Sequence, residues 1–238
     1  LHIIQDRSHP IGLRAAVALA LAHDLQERID RNALFDADSL LDRYSSDSKW
    51  PWFEKRLKKL ENSPAEKGAV RDHLFDIMEH LEVLRNSWKP YLHEARNILK
   101  RADGKRTDEV FSEKNTALSS VEEKTDGNDA VPFSELFTDV IAEQLLVYFI
   151  FTYFCGAVYN ENAYGKMKFS LAGMLLIREL VRARWIQDPS AVSTDTAIDA
   201  AVRYSREVEH SEENKVMMEQ FLDNEDVFGL EDLFLLLL

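Results

Sequence analysis

Apolar residues return at helical spacing along most of the N-terminal part of the chain. After the helix-start signal Ser8-His9-Pro10, leucine, alanine and valine recur every three or four residues to about Asp30. Pro90 is expected to kink or end the helix that precedes it. The further helices predicted for this part span residues 36–44, 52–61, 63–88 and 91–101.

The C-terminal part contains the two most apolar stretches. The first, Leu145 to Tyr159, would be roughly 22 Å long as a helix, which is shorter than the roughly 30 Å hydrocarbon core of a bilayer. We therefore interpret it as a buried central helix. The second, Phe169 to Trp185, predicts another largely buried helix.

Polar segments divide these apolar regions. Residues 102–132 are rich in Asp, Gly, Lys, Thr, Ser and Glu without a sustained period, which predicts a long loop or disordered linker. A last long helix is predicted from a cap at Ser193 or Thr194 to about Leu222, followed by an apolar tail over 231–238. The pattern predicts an all-α protein, an irregular multi-helix bundle with halves at 1–101 and 133–238.

Composition agrees with this fold class and narrows the function. With 8 glycines and 6 prolines in 238 residues, the chain has too few turn formers for a turn-dense β architecture. Its formal charge of -13 leaves no broad basic surface, so nucleic acid and anionic membranes are not expected as partners. The sequence also lacks the glycine-rich phosphate loop and the serine elbow of hydrolases.

The cysteine content indicates the compartment. Cys155 is the single cysteine and lies in an apolar run, so we interpret it as a buried small hydrophobe in a reducing, cytoplasmic setting. No signal peptide is visible, and a start at Leu1 suggests a piece of a longer chain.

One helix could offer metal ligands. His73, Asp76 and His80 stand at i, i+3 and i+7, which places two imidazoles and a carboxylate on one helical face. The alternative is the solvated edge of an apolar stripe, and we predict no metal site in this segment.

The late string Tyr204 to Asn214 carries the densest polar chemistry. Arg203, Glu207, His210 and Asn214 share one helical face, where they could bind a ligand or transfer a proton. The alternative is an exposed helix with ordinary charge pairs. The candidate polar site or inter-module surface comprises Ser205, Arg206, Glu207, His210 and Asn214.

Glu143 is a carboxylate on an otherwise apolar helix. Such a group needs a partner when buried, and Arg178 or Arg182 is the expected one. We predict a structural ion pair between Glu143 and Arg178, with a catalytic acid as the alternative.

The chain resembles the C-terminal region of the flagellin lysine-N-methylase family. The resemblance is carried by the block from Glu143 through Tyr159 to Phe169, by the string Tyr204 to Asn214, and by Ile4-Gln5-Asp6-Arg7-Ser8 before an amphipathic helix. It spans nearly the whole chain and is densest after Pro132.

The resemblance implies a bacterial parent enzyme that methylates lysine side chains of flagellin with S-adenosylmethionine. It further implies an upstream cysteine-rich module with a zinc or iron–sulfur centre, for which this chain has no matching cysteines. The segment is then expected to be the helical C-terminal module, which packs against the upstream module and helps to hold flagellin.

A non-enzymatic helical interaction or dimerisation domain is the alternative hypothesis. It would grip a protein partner through aromatic and basic positions around Trp50, Trp52 and Arg56.

Overall fold

A computed structural model describes residues 1–60, 64–113 and 131–238. These residues contain helices and no strand, so the predicted all-α fold is confirmed. The helices are α1 (His2–Gln5), α2 (Ile11–Asp30), α3 (Ala37–Ser45), α4 (Lys49–Leu60), α5 (Pro64–His80), α6 (Trp88–Glu113), α7 (Phe133–Leu136), α8 (Asp139–Tyr153), α9 (Ala157–Asn160), α10 (Ala163–Gln187), α11 (Thr194–Tyr204), α12 (Glu212–Leu222), α13 (Glu225–Phe228) and α14 (Leu230–Leu237).

Two prolines stand at helix starts. Pro10 is the residue before α2, and Ser8 does not cap that helix but bonds Asp6 instead. The helix predicted to run on to Trp88 ends at His80, and Pro90 lies in the first turn of α6. Backbone N–H groups of a first turn have no intrahelical acceptor, so a proline there leaves the helix intact. The expected kink at Pro90 was therefore wrong.

The polar segment 102–132 begins as a helix. α6 continues to Glu113, so the first twelve residues of the predicted loop are helical, which corrects that part of the prediction. Residues 114–130 of the predicted linker lie outside the described residues. Val131 accepts a hydrogen bond from the Trp185 indole at 2.8 Å, which ties the end of this segment to α10.

α10 is the central helix of the molecule. Its buried residues extend from Ala163 to Trp185, and it packs against α2, α6, α8, α11 and α12. The buried helix predicted over Phe169 to Trp185 is thus confirmed. Residues from both predicted halves contribute to one hydrophobic core around it.

The other apolar stretch is much more exposed than predicted. α8 ends at Tyr153 and is followed by a 3-10 turn at Phe154–Gly156 and the four-residue α9. Phe151 is 73% exposed and Tyr159 is 92% exposed. Cys155 is exposed as well, so its predicted burial was wrong. By length and mean hydropathy alone, Asp139–Asn160 could also cross a membrane, with 22% of its most apolar window buried.

The predicted last long helix is two helices. α11 begins at the N-cap Ser193, as predicted, and ends at Tyr204, where a π-helical turn at Ser205–Glu209 leads to α12. The predicted apolar tail is the helix α14, whose residues Leu233 to Leu237 are buried against α2, α4 and α5.

Candidate functional site

The π-helical turn divides the predicted polar face between α11 and α12. Its backbone closes with a hydrogen bond from His210 N to Ser205 O at 3.2 Å, one residue longer than an α-helical bond. Turns of this kind are frequent at functional sites. In this chain the turn separates Glu207 from Glu209, so that they contact different parts of the molecule.

Glu207 and Asn214 hold the connection between α5 and α6. Both side chains are buried. Glu207 Oε2 accepts hydrogen bonds from Leu84 N at 2.9 Å and Arg85 N at 3.3 Å. Asn214 accepts from Glu82 N at 2.7 Å and donates to Glu82 O at 2.9 Å and Glu207 O at 2.7 Å. Two of the predicted site residues therefore organise the backbone of the chain's own N-terminal part.

The other predicted residues of this face point away from it. Arg206 and His210 are exposed, and neither forms an ion pair with any residue in the described ranges. Ser205 is half-buried and contributes its carbonyl to the π-helical bond. The structure thus brings together Glu207 and Asn214 and leaves Arg206 and His210 as open surface.

Glu209 contacts two tyrosines of α8. Its Oε1 atom accepts hydrogen bonds from the hydroxyl groups of Tyr148 at 3.0 Å and Tyr153 at 2.5 Å. Burial and the Glu209 carboxylate raise the pKa of Tyr153 far above its ordinary value, and the same causes raise the pKa of Tyr148. Both tyrosines therefore donate to the carboxylate at neutral pH.

The sequence contained only an indirect signal for this cluster. Glu209 lies in the string Tyr204 to Asn214, and Tyr148 and Tyr153 lie in the aromatic block. Their contact joins residues 56 and 61 positions apart, and it depends on the π-helical turn. A pattern of regular helical periodicity does not predict that turn.

Glu143 is buried in an ion pair, but Arg178 is not its partner. Its carboxylate binds Arg14 at 2.6 Å and Arg7 at 2.8 Å, both from the N-terminal end of the chain. The Arg7 and Arg14 guanidinium groups lower the pKa of Glu143, although burial opposes this. The predicted pairing with Arg178 was wrong: Arg7 and Arg14 bind Glu143, and Arg178 is bound to Glu179 and the Leu236 carbonyl instead.

Arg178 pairs with the next residue of its own helix. Its Nη2 atom is 3.0 Å from Glu179 Oε1 and donates to Leu236 O at 2.6 Å. Arg182 and Arg71 also approach Glu179, at 3.3 and 3.9 Å. Lys67 of α5 feels the same charges: burial, together with the positive charges of Arg178, Arg182 and Arg71, lowers its pKa to about 8. Glu179 is thus a buried carboxylate at the centre of a basic cluster, a role that the sequence analysis did not assign to it.

The histidine face of α5 does not form a metal site. Asp76 is bound by Arg96 at 2.6 Å, His80 Nδ1 lies 2.7 Å from Asp76 O, and His73 lies against the ring of Phe228. In the part of the chain that the structure describes, no three His, Cys, Asp or Glu side chains are grouped to hold a metal ion.

The aromatic positions of α4 are only partly available to a partner. Trp50 is buried and stacks on His9 with 4.1 Å between ring centroids. Trp52 is 49% exposed, with the Arg56 guanidinium 5.4 Å from its ring centroid. Arg56 is itself paired with Glu231 at 2.9 Å. Trp50 therefore offers no exposed side chain for the predicted contact with a protein partner.

A cavity of about 590 Å³ lies between the starts of α2 and α8 and the chain end. Apolar side chains such as Leu57 and Met174 line it together with charged ones. Of the charged lining residues, Asp139 already accepts from Ile11 N at 2.9 Å, Arg178 is engaged by Glu179 and the Leu236 carbonyl, and Glu54 and Lys58 are exposed. None of its described lining residues has a buried side-chain polar atom without a partner.

A family model described as FliB lysine N-methylase C-terminal domain matches residues 1–236. No curated protein and no solved structure matches the chain.

Proposed function

Because the chain belongs to the FliB lysine N-methylase C-terminal domain family, we propose that it is the helical module of a protein-lysine N-methyltransferase. The parent enzyme would methylate lysine side chains of flagellin in the cytoplasm of a bacterium, with S-adenosylmethionine as methyl donor. The observation that carries this proposal is the extent of the family match, which covers residues 1–236 of 238.

The described residues do not fit a metal or iron–sulfur centre. The chain has one cysteine, and no suitable group of ligands occurs among the residues whose positions are known. Zinc and iron–sulfur sites of the kind expected for the parent need several thiolates. We therefore assign such a centre to an upstream cysteine-rich module.

The methyl donor is not assigned to a residue of this chain. The cavity beside Leu57 and Met174 has the volume of a small-molecule site, but its buried lining leaves no polar group unpaired. A specific ligand site usually offers such groups, because they fix the orientation of the ligand. The buried lining of this cavity does not meet that requirement, and Glu54 and Lys58, which also line it, are exposed side chains.

The exposed apolar surface over α8 and α9 supports a role in contact with another protein surface. Phe151, Val158 and Tyr159 are each more than 70% exposed, and Cys155 lies between them in sequence. Large exposed apolar areas on soluble domains usually mark interaction sites. We propose that the cysteine-rich module of the parent chain covers the part of this surface around Cys155, Val158 and Tyr159. A non-enzymatic interaction domain would use the same surface for a separate partner.

Methyl transfer to purified flagellin tests the proposed function. The assay compares this segment with the same chain extended upstream, under anaerobic conditions with S-adenosylmethionine, and reads the intact mass of flagellin. We expect increments of one methyl group from the extended chain alone. Transfer by neither protein would contradict the methylase proposal and favour the interaction domain, and transfer by both would place catalysis in this segment.

Labelling of Cys155 tests the proposed inter-module surface. The thiol of the isolated segment should react rapidly with a water-soluble maleimide, because Cys155 is exposed. Peptide mapping then isolates the same thiol in the extended chain, where labelling should be at least several-fold slower if the upstream module covers the surface around Cys155 and α9. Equal rates in the two proteins would contradict this placement without affecting the methyl-transfer result.

A further inference from the structure

The Glu209 carboxylate has one oxygen fully engaged and one left open. Both tyrosine hydroxyl groups donate to Oε1, at 3.0 Å from Tyr148 and 2.5 Å from Tyr153. No hydrogen bond reaches Oε2 from the residues that the structure describes. The two tyrosines thereby fix the carboxylate and orient its second oxygen.

No cation neutralises this carboxylate within the described ranges. Glu209 is half-buried and forms no ion pair there, and Arg206, three residues earlier, is exposed without reaching it. Of the fully buried carboxylates, Glu143 and Glu179 are each surrounded by arginines, whereas Glu207 is bound by the backbone N–H groups of Leu84 and Arg85. A half-buried carboxylate without a counter-charge favours binding of a cation, because pairing offsets its loss of hydration.

The surroundings suit a cation on an aliphatic stem. Tyr148 is 51% exposed, and Phe151, one helical turn later on α8, is 73% exposed. Aromatic faces attract alkylammonium groups through cation–π interaction and also cover the methylene groups that carry them. The side chain that combines a compact ammonium group with such a stem is lysine.

We propose that Glu209, held by Tyr148 and Tyr153, binds the ammonium group of a lysine side chain of a polypeptide. This inference rests on the proposed function, in which the bound residue is an acceptor lysine of flagellin. Glu209 would bind the ammonium through Oε2, and the tyrosines would be positioning residues. The alternative is a purely structural tie between the π-helical turn and α8, which needs the two hydroxyl bonds but neither the charge nor the open oxygen.

Fluorine NMR can read binding at the tyrosines themselves. The chain, with its 7 tyrosines replaced by 3-fluorotyrosine, is titrated with a blocked flagellin peptide that contains one lysine. Loss of a signal in Tyr148→Phe and in Tyr153→Phe assigns the two resonances. We expect the lysine peptide to shift both, and the same peptide with norleucine in place of lysine to leave them unchanged. Equal shifts with both peptides, or none with either, would overturn the proposal.

Two glutamate variants separate charge from structure. Glu209→Gln keeps an oxygen that can accept both tyrosine hydroxyls but removes the charge, so the lysine peptide should bind at least about ten-fold more weakly. Glu212→Gln is the matched control, since Glu212 is 84% exposed and pairs with Lys215. Circular dichroism melting confirms that both variants fold. Unchanged affinity in a folded Glu209→Gln variant would overturn the proposal and favour the structural tie.

Failure of this inference is distinguishable from failure of the proposed function. The NMR experiment needs no methyl donor and no upstream module, whereas methyl transfer by the extended chain needs both. In the extended chain, Glu209→Gln should raise KM for flagellin more than it lowers kcat. Transfer by an extended Glu209→Gln chain with parental KM would reject the lysine site and leave the methylase proposal intact.

Discussion

Arg14 and Glu143 form a buried ion pair, with 2.6 Å between Nη1 and Oε2 and side chains that are 1% and 3% exposed. Removing the carboxylate in Glu143→Ala leaves the Arg14 charge buried. Its remaining partners among the described residues are the Ile4 carbonyl and the more distant Asp139. We expect a loss of about 3–5 kcal/mol in the free energy of unfolding. Urea denaturation followed by circular dichroism measures it.

Arg7→Ala is the control for this pair. The Arg7 side chain is 61% exposed and contacts the same carboxylate at 2.8 Å, so its removal should cost much less stability than removal of Glu143, because solvent screens an exposed pair. Equal losses for Glu143→Ala and Arg7→Ala would contradict the prediction. They would show that burial does not determine how much the Arg14–Glu143 pair contributes to the free energy of unfolding.

The same carboxylate should make stability depend on acid pH. Arg7 and Arg14 lower the pKa of Glu143 in the folded protein below the value of 4.5 expected for the unfolded chain. Protons therefore bind the unfolded state first as pH falls, and the stabilisation present above pH 4.5 is lost through the folded pKa. The advantage of the parent over Glu143→Gln should be constant near neutral pH and should shrink below 4.5. Thermal melts from about pH 7 to about pH 3 measure this advantage, and a constant difference throughout would contradict the prediction.

Asn214 should control the rigidity of the connection between α5 and α6. In Asn214→Ala the backbone groups of Glu82 and the carbonyl of Glu207 lose their partners. We expect a loss of about 2–4 kcal/mol, because several buried polar groups become unsatisfied together. Hydrogen exchange should also accelerate at the Leu84 and Arg85 amides, which Glu207 binds.

His210→Gln and Arg206→Gln are controls from the same string. Both side chains are exposed, so each change should alter stability by less than about 0.5 kcal/mol and leave exchange at Leu84 unchanged. A loss in His210→Gln as large as in Asn214→Ala would mean that the string acts as one structural unit, contrary to its division into buried and exposed positions.

Gly12 is required by the close approach of the last helix. A Cβ atom at this position would lie 2.6 Å from the backbone oxygen of Leu237. Gly12→Ala should therefore destabilise the protein by about 1–3 kcal/mol, although alanine is the better helix former. In Gly156→Ala the new atom meets only the flexible end of Lys166 at 3.2 Å, so thermal melting should show a much smaller effect. A stabilised Gly12→Ala variant would contradict the observed packing.

Much of the fold could be predicted because long apolar periods are local signals. The core of α10 and the cap at Ser193 depend on residues close together in sequence. The exposure of α8 could not be predicted in this way. Its apolar residues are as numerous as those of a buried helix, and only the packing of other elements decides how much of it is covered.

The contacts of the candidate site could be predicted less completely from the sequence. That Glu143 needs a buried partner follows from the cost of burying a charge, but Arg7 and Arg14 are 136 and 129 residues away. The predicted shared face of Arg203, Glu207, His210 and Asn214 assumed a regular helix through the string. The π-helical turn adds a residue, which buries Glu207 and Asn214 and turns Glu209 toward α8.

The position of α14 has a consequence for synthesis of the protein. Leu233, Phe234 and Leu236 are at most 1% exposed and pack with helices from the first eighty residues. While the ribosome is still translating α10, the surfaces of α2 and α5 that will receive α14 face water. The nascent chain therefore carries an open apolar groove until residues 230–237 emerge, and exposed apolar surface of this kind makes folding intermediates prone to aggregation.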